Sequence, residues 1–407
     1  MYDLAAFGAW LEFAVRWLHV ITAIAWIGSS FYFIALDLGL HRDRNLATGA
    51  DGEEWQVHGG GFYHIQKYLV APANMPDGLV WFKWESYATW LSGFALLVLV
   101  YYLGAEFYLI DPSVLELATW QAIGISLASL AFGWMVYNTL CKVFVEANQT
   151  VLMIALFGVL VVMSYFYVSV FSGRAALLHL GAFTATIMSA NVFMIIIPNQ
   201  KIVVADLIAG NRPDPQYGKI AKQRSTHNNY LTLPVIFLML SNHYPLAFSS
   251  QYNWIIAALV FLMGVTIRHW FNTQHARKGK PTWTWLATVI LFILIVWLST
   301  APLKQMDEDA AFVPGTERFA ATESFADVQD VVLGRCSMCH AREPVWDGIH
   351  WAPKGVLLET EADIARHARD IYLQSGVAQG MPPANITWME AEERALIMAW
   401  YREATGG

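Results

Sequence analysis

Eight apolar stretches, at roughly 10–36, 84–104, 118–141, 151–171, 175–198, 230–247, 253–271 and 283–301, constrain this chain more than any other feature of its sequence. Each is close to the ~20 residues that a helix needs to cross the hydrocarbon of a bilayer. There a backbone N–H or C=O finds no water to bond, so such stretches are expected to be helices satisfied from within. The stretch from Tyr230 is the least regular, because Pro234 and the polar run Ser241, Asn242, His243 interrupt it. A broken helix is tolerated where it lines a buried site. A hydrophobic share of 56% against 14% charged residues excludes an ordinary soluble protein. No basic region precedes the first stretch and no small-residue cleavage site follows it, so it reads as a retained helix and not a signal peptide.

Charge divides the chain and orients it. Residues 1–300 carry 16 Lys+Arg against 15 Asp+Glu, and residues 301–407 carry 9 against 17. The connections at 37–83, 142–150, 199–229 and 272–282 hold thirteen Lys and Arg, whereas those at 105–117, 172–174 and 242–252 hold only Arg174. By the positive-inside rule the first set is cytoplasmic, which puts both termini outside, in the periplasm of a Gram-negative inner (plasma) membrane. The expected domains are a membrane bundle at 1–301, a Pro-, Gly- and charge-rich linker at 302–323, and a compact helical domain at 324–407. No nucleic-acid partner is expected; the bilayer is the main one.

Within that tail, Val331 to His340 reads VVLGRCSMCH. Cys-x-x-Cys-His is the attachment signature of c-type haem: Cys336 and Cys339 add to the porphyrin vinyls and His340 ligates iron from one face. A zinc half-site is the plain alternative, but a translocated location suits haem attachment, and QGMPPANITW downstream offers Met381 as the second axial ligand. That order resembles class I cytochromes c. Met389 and Met398 lie in the helical pattern of the terminal segment and read as core. Cys141, alone in an apolar run, reads as an inert buried thiol.

Six motifs in the first 300 residues join polar groups to aromatics: RWLHVITAIAWIGSSFYF, HGGGFYHIQKYLVAPANMP, LVWFKWESYATWLSG, MIIIPNQ, HNNYLTLPVIFLMLSNHYP and RHWFNTQH. In these residues the whole chain resembles the bacterial membrane-bound urate oxidases, or urate hydroxylases, which join an eight-helix membrane domain to a C-terminal cytochrome c. The resemblance implies an all-α fold of that kind. It also implies oxidation of urate to 5-hydroxyisourate with water as oxygen source, electrons passing to the intrinsic cytochrome c and on to another cytochrome or cytochrome c oxidase, without hydrogen peroxide. A quinol-linked electron-transfer or oxidase subunit is the alternative.

Ionisable residues inside a membrane are costly and mark either function or a satisfied buried network. A purine anion asks for amide donors and acceptors, a cation and a proton acceptor, and His64, Lys83, Glu85, His227, Asn228, Arg268 and Asn272 on the cytoplasmic side offer these. The Gly59–Gly61 run beside His58 and His64 reads as flexible backbone donors for such a ligand. On the outer side Arg16 and His19 share a helix face, and Arg174 and His179 lie at similar depth. Those two histidines are expected to clamp a b-type haem with the arginines on its propionates, the alternative being two hydrogen-bonded structural histidines. Gly28, Ser29 and Ser30 read as close helix packing, and Trp81, Trp84 and Trp90 as an interfacial belt.

Overall fold

The computed structural model describes residues 4–42, 45–68, 76, 78–144, 149–300, 312–347, 349 and 351–406. Residues 69–75 of the second motif and 302–311 of the expected linker lie outside them. Helix is found at every one of the apolar stretches. The N-terminal bundle comprises α1 (Leu4–Gly39), α2 (Trp84–Leu96), α3 (Thr119–Val143), α4 (Gln149–Val168), α5 (Gly173–Ala190), α6 (Ile197–Ile208), α7 (Pro215–Ser241), α8 (Asn253–His275) and α9 (Trp283–Ser299). Five spans among the described residues are long and apolar enough to cross a membrane: Ala6–Gly39, Thr119–Val143, Gln149–Val168, Gly173–Ile208 and Asn253–His275. Trp10, Trp17 and Ile24 of α1 and Phe292 and Trp297 of the shorter α9 stand exposed, an apolar coat compatible with a membrane protein.

Local chemistry explains where these helices depart from the apolar pattern. Helix α7 starts well before Tyr230, so most of the connection expected at 199–229 is helical. Asp214 caps it, its Oδ1 accepting from Gln216 N at 2.8 Å, and Pro215 occupies the first helical position, where its missing N–H costs nothing. Between α5 and α6 the chain widens into a π-helical turn, Asn191–Ile196. Pro198 follows at once; a wide turn takes up the ring that would otherwise press on the carbonyl four residues back. Pro234 inside α7 is received by α8: a Cβ on Gly264 would stand 2.5 Å from the Pro234 Cδ. Gly133 gives α3 the same closeness to Phe183 of α5. Gly28, by contrast, has open space where a Cβ would stand, so close packing is not its role. Trp90 likewise leaves the expected belt, donating its indole N–H to Thr186 at 3.2 Å.

The expectation of an all-α fold needs one correction. Strands β1 (Ala50–His58) and β2 (Gly61–Tyr68) form an antiparallel hairpin, with Trp55 opposite His64 and Val57 opposite Phe62. Alternating Trp55, Val57, Phe62 and Ile65 favour strand, and Gly59 and Gly60, at φ 60° and 79°, supply the two left-handed residues of a tight hairpin turn. The glycine run therefore makes a turn and not a ligand loop.

The C-terminal domain is helical too. Its α10 (Phe325–Arg335) and α12 (Ala391–Thr405) pack through Phe325, Val328, Val332, Ile397 and Trp400, with α11 (Glu361–Arg366) against the same core. Arg335 grips both carboxylate oxygens of Glu393 between the two helices. The stretch 312–323 is no free linker. Val313 is buried in the bundle's core and Phe319 in the domain's own, where its carbonyl accepts from Trp400 Nε1 at 2.8 Å.

The domain sits on the connections that carry few Lys and Arg. Tyr108 donates to Asp370 at 2.6 Å, Arg318 to Glu106 at 2.8 Å and Arg366 to Asp111 at 3.2 Å. A Cβ on Gly355 would lie 2.8 Å from the Phe248 ring. Exposed ion pairs contribute only ~0–1 kcal/mol each, so burial of Val313 and the Phe248 contact matter at least as much.

Gly264→Ala is expected to overpack against Pro234 and lower bundle stability by about 1–3 kcal/mol. Gly158→Ala, with nothing within 4 Å of its Cβ, should be neutral. Unfolding midpoints of the two variants in detergent check this.

Candidate functional site

Two groups of chemistry-bearing residues emerge, one in each part of the chain. In the C-terminal domain α10 ends at Arg335, and the backbone N–H groups of Cys339 and His340 both turn back to the Cys336 carbonyl, at 3.1 and 3.0 Å. That turn puts the two thiols and the imidazole on one short loop. Neither thiol is in a disulfide, and burial pushes the Cys336 thiol up to about 12. His340 Nδ1 is held by the Val356 carbonyl at 3.0 Å, while its Nε2 has no partner among the described residues. Burial pulls His340 below its ordinary value, with the Val356 bond opposing, so the ring is neutral at pH 7 and Nε2 keeps its lone pair. Anchoring one ring nitrogen on a carbonyl is what an iron- or zinc-ligating histidine requires.

Met381 lies across from this loop in sequence and is fixed by its backbone. Its N–H donates to Gln374 O at 3.0 Å and its carbonyl accepts from Arg394 Nη1 at 2.8 Å. Arg394 is buried, and its guanidinium also donates to Ser375 O and to Asn385 Oδ1, so one cation ties three points of the loop. Met389 is buried in the core, as expected. The two thiols and the anchored imidazole of the Cys336–His340 loop are the donor set that a c-type haem takes.

In the bundle, three consecutive residues of α7 divide between two polar networks. On one side His227 Nδ1 bonds the Tyr137 hydroxyl at 2.8 Å, and its Nε2 has no partner among the described residues. Asn191, at the π-helical turn, donates to Tyr137 at 3.0 Å and to Asn228 Oδ1 at 2.9 Å. Arg224, one turn earlier on α7, donates to Asn191 Oδ1 and Asn138 Oδ1 at 3.3 and 2.9 Å and lies 4.9 Å over the Tyr137 ring. On the other side Asn229 Oδ1 collects Arg268 Nε, Arg268 Nη2 and Asn272 Nδ2 at 3.0–3.2 Å, with Arg268 stacked 4.0 Å over Phe31.

Both arginines are almost fully enclosed, Arg224 at 3% exposure and Arg268 at 5%, and no carboxylate meets either among the described residues. Arg224 Nε and Asn229 Nδ2 are buried donors without a partner. Two guanidinium charges balanced only by amide oxygens and aromatic faces leave a positive, donor-rich interior suited to a planar anion.

Of the residues expected from sequence, the fold joins Arg268 and Asn272 directly on one side of α7 and brings His227 and Asn228 together with Tyr137 and Asn191 on the other. His64 is elsewhere, on the hairpin, bonded to Glu53 at 2.7 Å and stacked on Trp55. Lys83 caps α2 and lies over Trp84, and Glu85 follows it in the first turn, with no hydrogen bond from either side chain into the cluster among the described residues. Tyr137, Asn138, Asn191, Arg224 and Asn229 join the two networks; the first three carry a signal, polar side chains inside apolar runs, whereas Arg224 and Asn229 fall in the connection expected at 199–229 and carry none.

On the outer side the expected haem b clamp does not fit. His179 Nδ1 is taken by the Ala175 carbonyl at 2.8 Å and Nε2 by Ser126 Oγ at 2.9 Å, among the rings of Tyr101, Tyr167 and Phe171. His19 turns to α2 instead, where Nδ1 meets Thr89 O and Ser92 Oγ and the ring fills the space left by Gly93. Arg16 pairs with Glu12, and Arg174 lies over Tyr108. The two histidines are hydrogen-bonded packing groups, as the alternative reading holds.

Two expectations follow. Arg394→Lys keeps the charge but loses the fork, so amide exchange over 381–385 should accelerate while α10 and α12 stay protected. Tyr137→Phe strips partners from both His227 and Asn191 and should cost about 1–3 kcal/mol in a denaturation midpoint.

Residues 5–299 match the family model described as urate oxidase N-terminal. No curated protein and no solved structure matches the chain.

Proposed function

The chain belongs to the urate oxidase N-terminal family, and we propose that it oxidises urate to 5-hydroxyisourate in the inner membrane, delivering the electrons to a c-type haem on its own C-terminal domain. One observation carries the second half of this reading. His340 has Nδ1 anchored and Nε2 open on the same short loop as two thiols, and it shares a chain with the urate oxidase domain. The positive-inside pattern supports a cytoplasmic face for the basic connections, and the tail docks on the opposite connections, as a periplasmic domain would.

The reaction balances without O2. The urate anion and water give 5-hydroxyisourate, two electrons and one proton: a C5–O bond forms to the water oxygen, one water O–H bond breaks to release that proton, and the purine gives up the two electrons. The bundle's part is to hold the anion and move protons. Arg224 offsets the negative charge, Asn191 and Asn228 present amide edges to a purine, and His227 Nε2 accepts a proton while Tyr137 keeps the ring oriented. Cys336, Cys339 and His340 would hold the haem and Met381 would be a further ligand; when bound it would supply a one-electron acceptor whose potential a thioether ligand raises. Hydrogen peroxide is then not a product.

Adding urate to anaerobic, oxidised membranes that contain the protein should produce the reduced c-type α-band. Reduction by quinol analogues but not by urate would overturn the reading. Arg224→Gln should raise the half-saturating urate concentration roughly 10- to 100-fold, as loss of a charge-assisted bond worth about 1.5–3 kcal/mol predicts, whereas Arg268→Gln, on the other side of α7, should raise it less. Met381→Ala should leave haem attached at a lower potential.

A further inference from the structure

The β-hairpin uses its two faces for different purposes. Strand alternation and the register place Glu54, Gln56, Tyr63, Ile65 and Lys67 on one face and Glu53, Trp55, Val57, Phe62 and His64 on the other. The first face is turned to α1. Gln56 Oε1 accepts from Tyr32 OH at 2.7 Å, Lys67 pairs with Asp37, and a Cβ on Gly39 would stand 2.9 Å from Glu54 Oε2.

Those contacts also give direction. Glu53 is bonded to His41 just beyond the end of α1, Glu54 lies at Gly39, and Gln56 reaches Tyr32. The hairpin thus folds back along α1, and its Gly59–Gly60 tip points toward the middle of the helix. Tyr32 lies about 10 Å up the helix from Gly39 at 1.5 Å per residue.

The second face changes character along the same axis. At the base Glu53 and His64 form a bonded polar pair, with Trp55 stacked on the imidazole at 4.2 Å. At the tip Val57 and Phe62 oppose each other and are 70% and 77% exposed. Beside them α1 bares Tyr32 and Phe33, so the exposed tip continues the apolar surface of that helix.

We propose that the hairpin tip inserts into the headgroup–acyl boundary of the cytoplasmic leaflet, with Val57 and Phe62 in lipid and the Glu53–His64 pair in water. The open N–H and C=O groups along both strand edges keep it out of the hydrocarbon centre, and a boundary depth leaves them water to bond. The inference rests on the reading of α1 as a membrane span and is independent of urate chemistry.

The test uses full-length protein with Cys141→Ser, carrying either Phe62→Cys or Ala47→Cys labelled with bimane, in lipid nanodiscs. Ala47 is an exposed residue ahead of β1. Label at 62 should be quenched by acyl-chain doxyl lipid and at least five-fold less by iodide than label at 47, which should show the reverse. Equal iodide quenching at both positions would overturn the proposal. So would protection at 62 that persists in lipid-free detergent and disappears on dilution, because a second copy would then be covering the tip. Urate-dependent haem reduction, measured on the same samples, separates failure of this inference from failure of the proposed activity.

Discussion

The ring of Pro234, seated where Gly264 has no side chain, sets how closely α7 and α8 approach, and the polar interior of the bundle depends on that distance. Arg268 is one turn beyond Gly264 on α8, and Asn229 lies just over a turn before Pro234 on α7. Their bonds at 3.1–3.2 Å exist only because the backbones are near enough for one short amide to reach a guanidinium. The opposite side of α7 depends on a second backbone irregularity. The π-helical turn brings Asn191, fully buried, to a point where it bonds Tyr137 and Asn228 and accepts from Arg224. Proline and its accommodations thus position the chemistry, in line with the rule that irregular backbone inside a membrane is kept where it lines something.

Charge is distributed between the two parts of the chain to match what each is asked to do. The bundle encloses two cations with no carboxylate beside them among the described residues, whereas the domain on top is acidic and pairs its buried Arg394 with carbonyls. Asp370, at the junction, shows how that surface is tuned. Burial alone would raise its carboxyl, but the imidazole of His367, 3.7 Å away, and the Tyr108 hydroxyl hold it below the usual range. A depressed acid adds stability that is complete above its unfolded value near 3.8 and is lost as pH falls through the lower, folded one. The Tyr108–Asp370 contact is therefore intact at any physiological pH.

Much of this was legible in the sequence, and the misses share a cause. Helix positions followed from apolar length and the thiol–imidazole loop from its spacing, whereas Met389 is buried as expected but ahead of α12 and not within it. The hairpin was overlooked because a two-stranded element of nine and eight residues is drowned by spanning helices on either side, although the Gly59–Gly60 pair between alternating Trp55, Val57, Phe62 and Ile65 marked it. His227, Asn228, Arg268 and Asn272 could be named because they cluster in motifs, whereas Tyr137, Asn191 and Arg224 arrive from three separate helices and meet only through tertiary packing. The histidine clamp is not assembled for the converse reason: equal depth in a membrane says nothing of rotation, and His179 spends both ring nitrogens, and His19 its Nδ1, on different neighbours.

The seating of the C-terminal domain has a kinetic meaning. Phe248 fills the space beside Gly355, one residue from the Val356 carbonyl that holds His340, while Tyr108, Glu106 and Asp111 fasten the domain's other edge. A domain fastened at both edges does not shuttle. Under the proposed function, electron delivery within the chain would be a first-order step whose rate is indifferent to solvent viscosity and protein concentration, and the single encounter left to diffusion would be the one on the domain's far side.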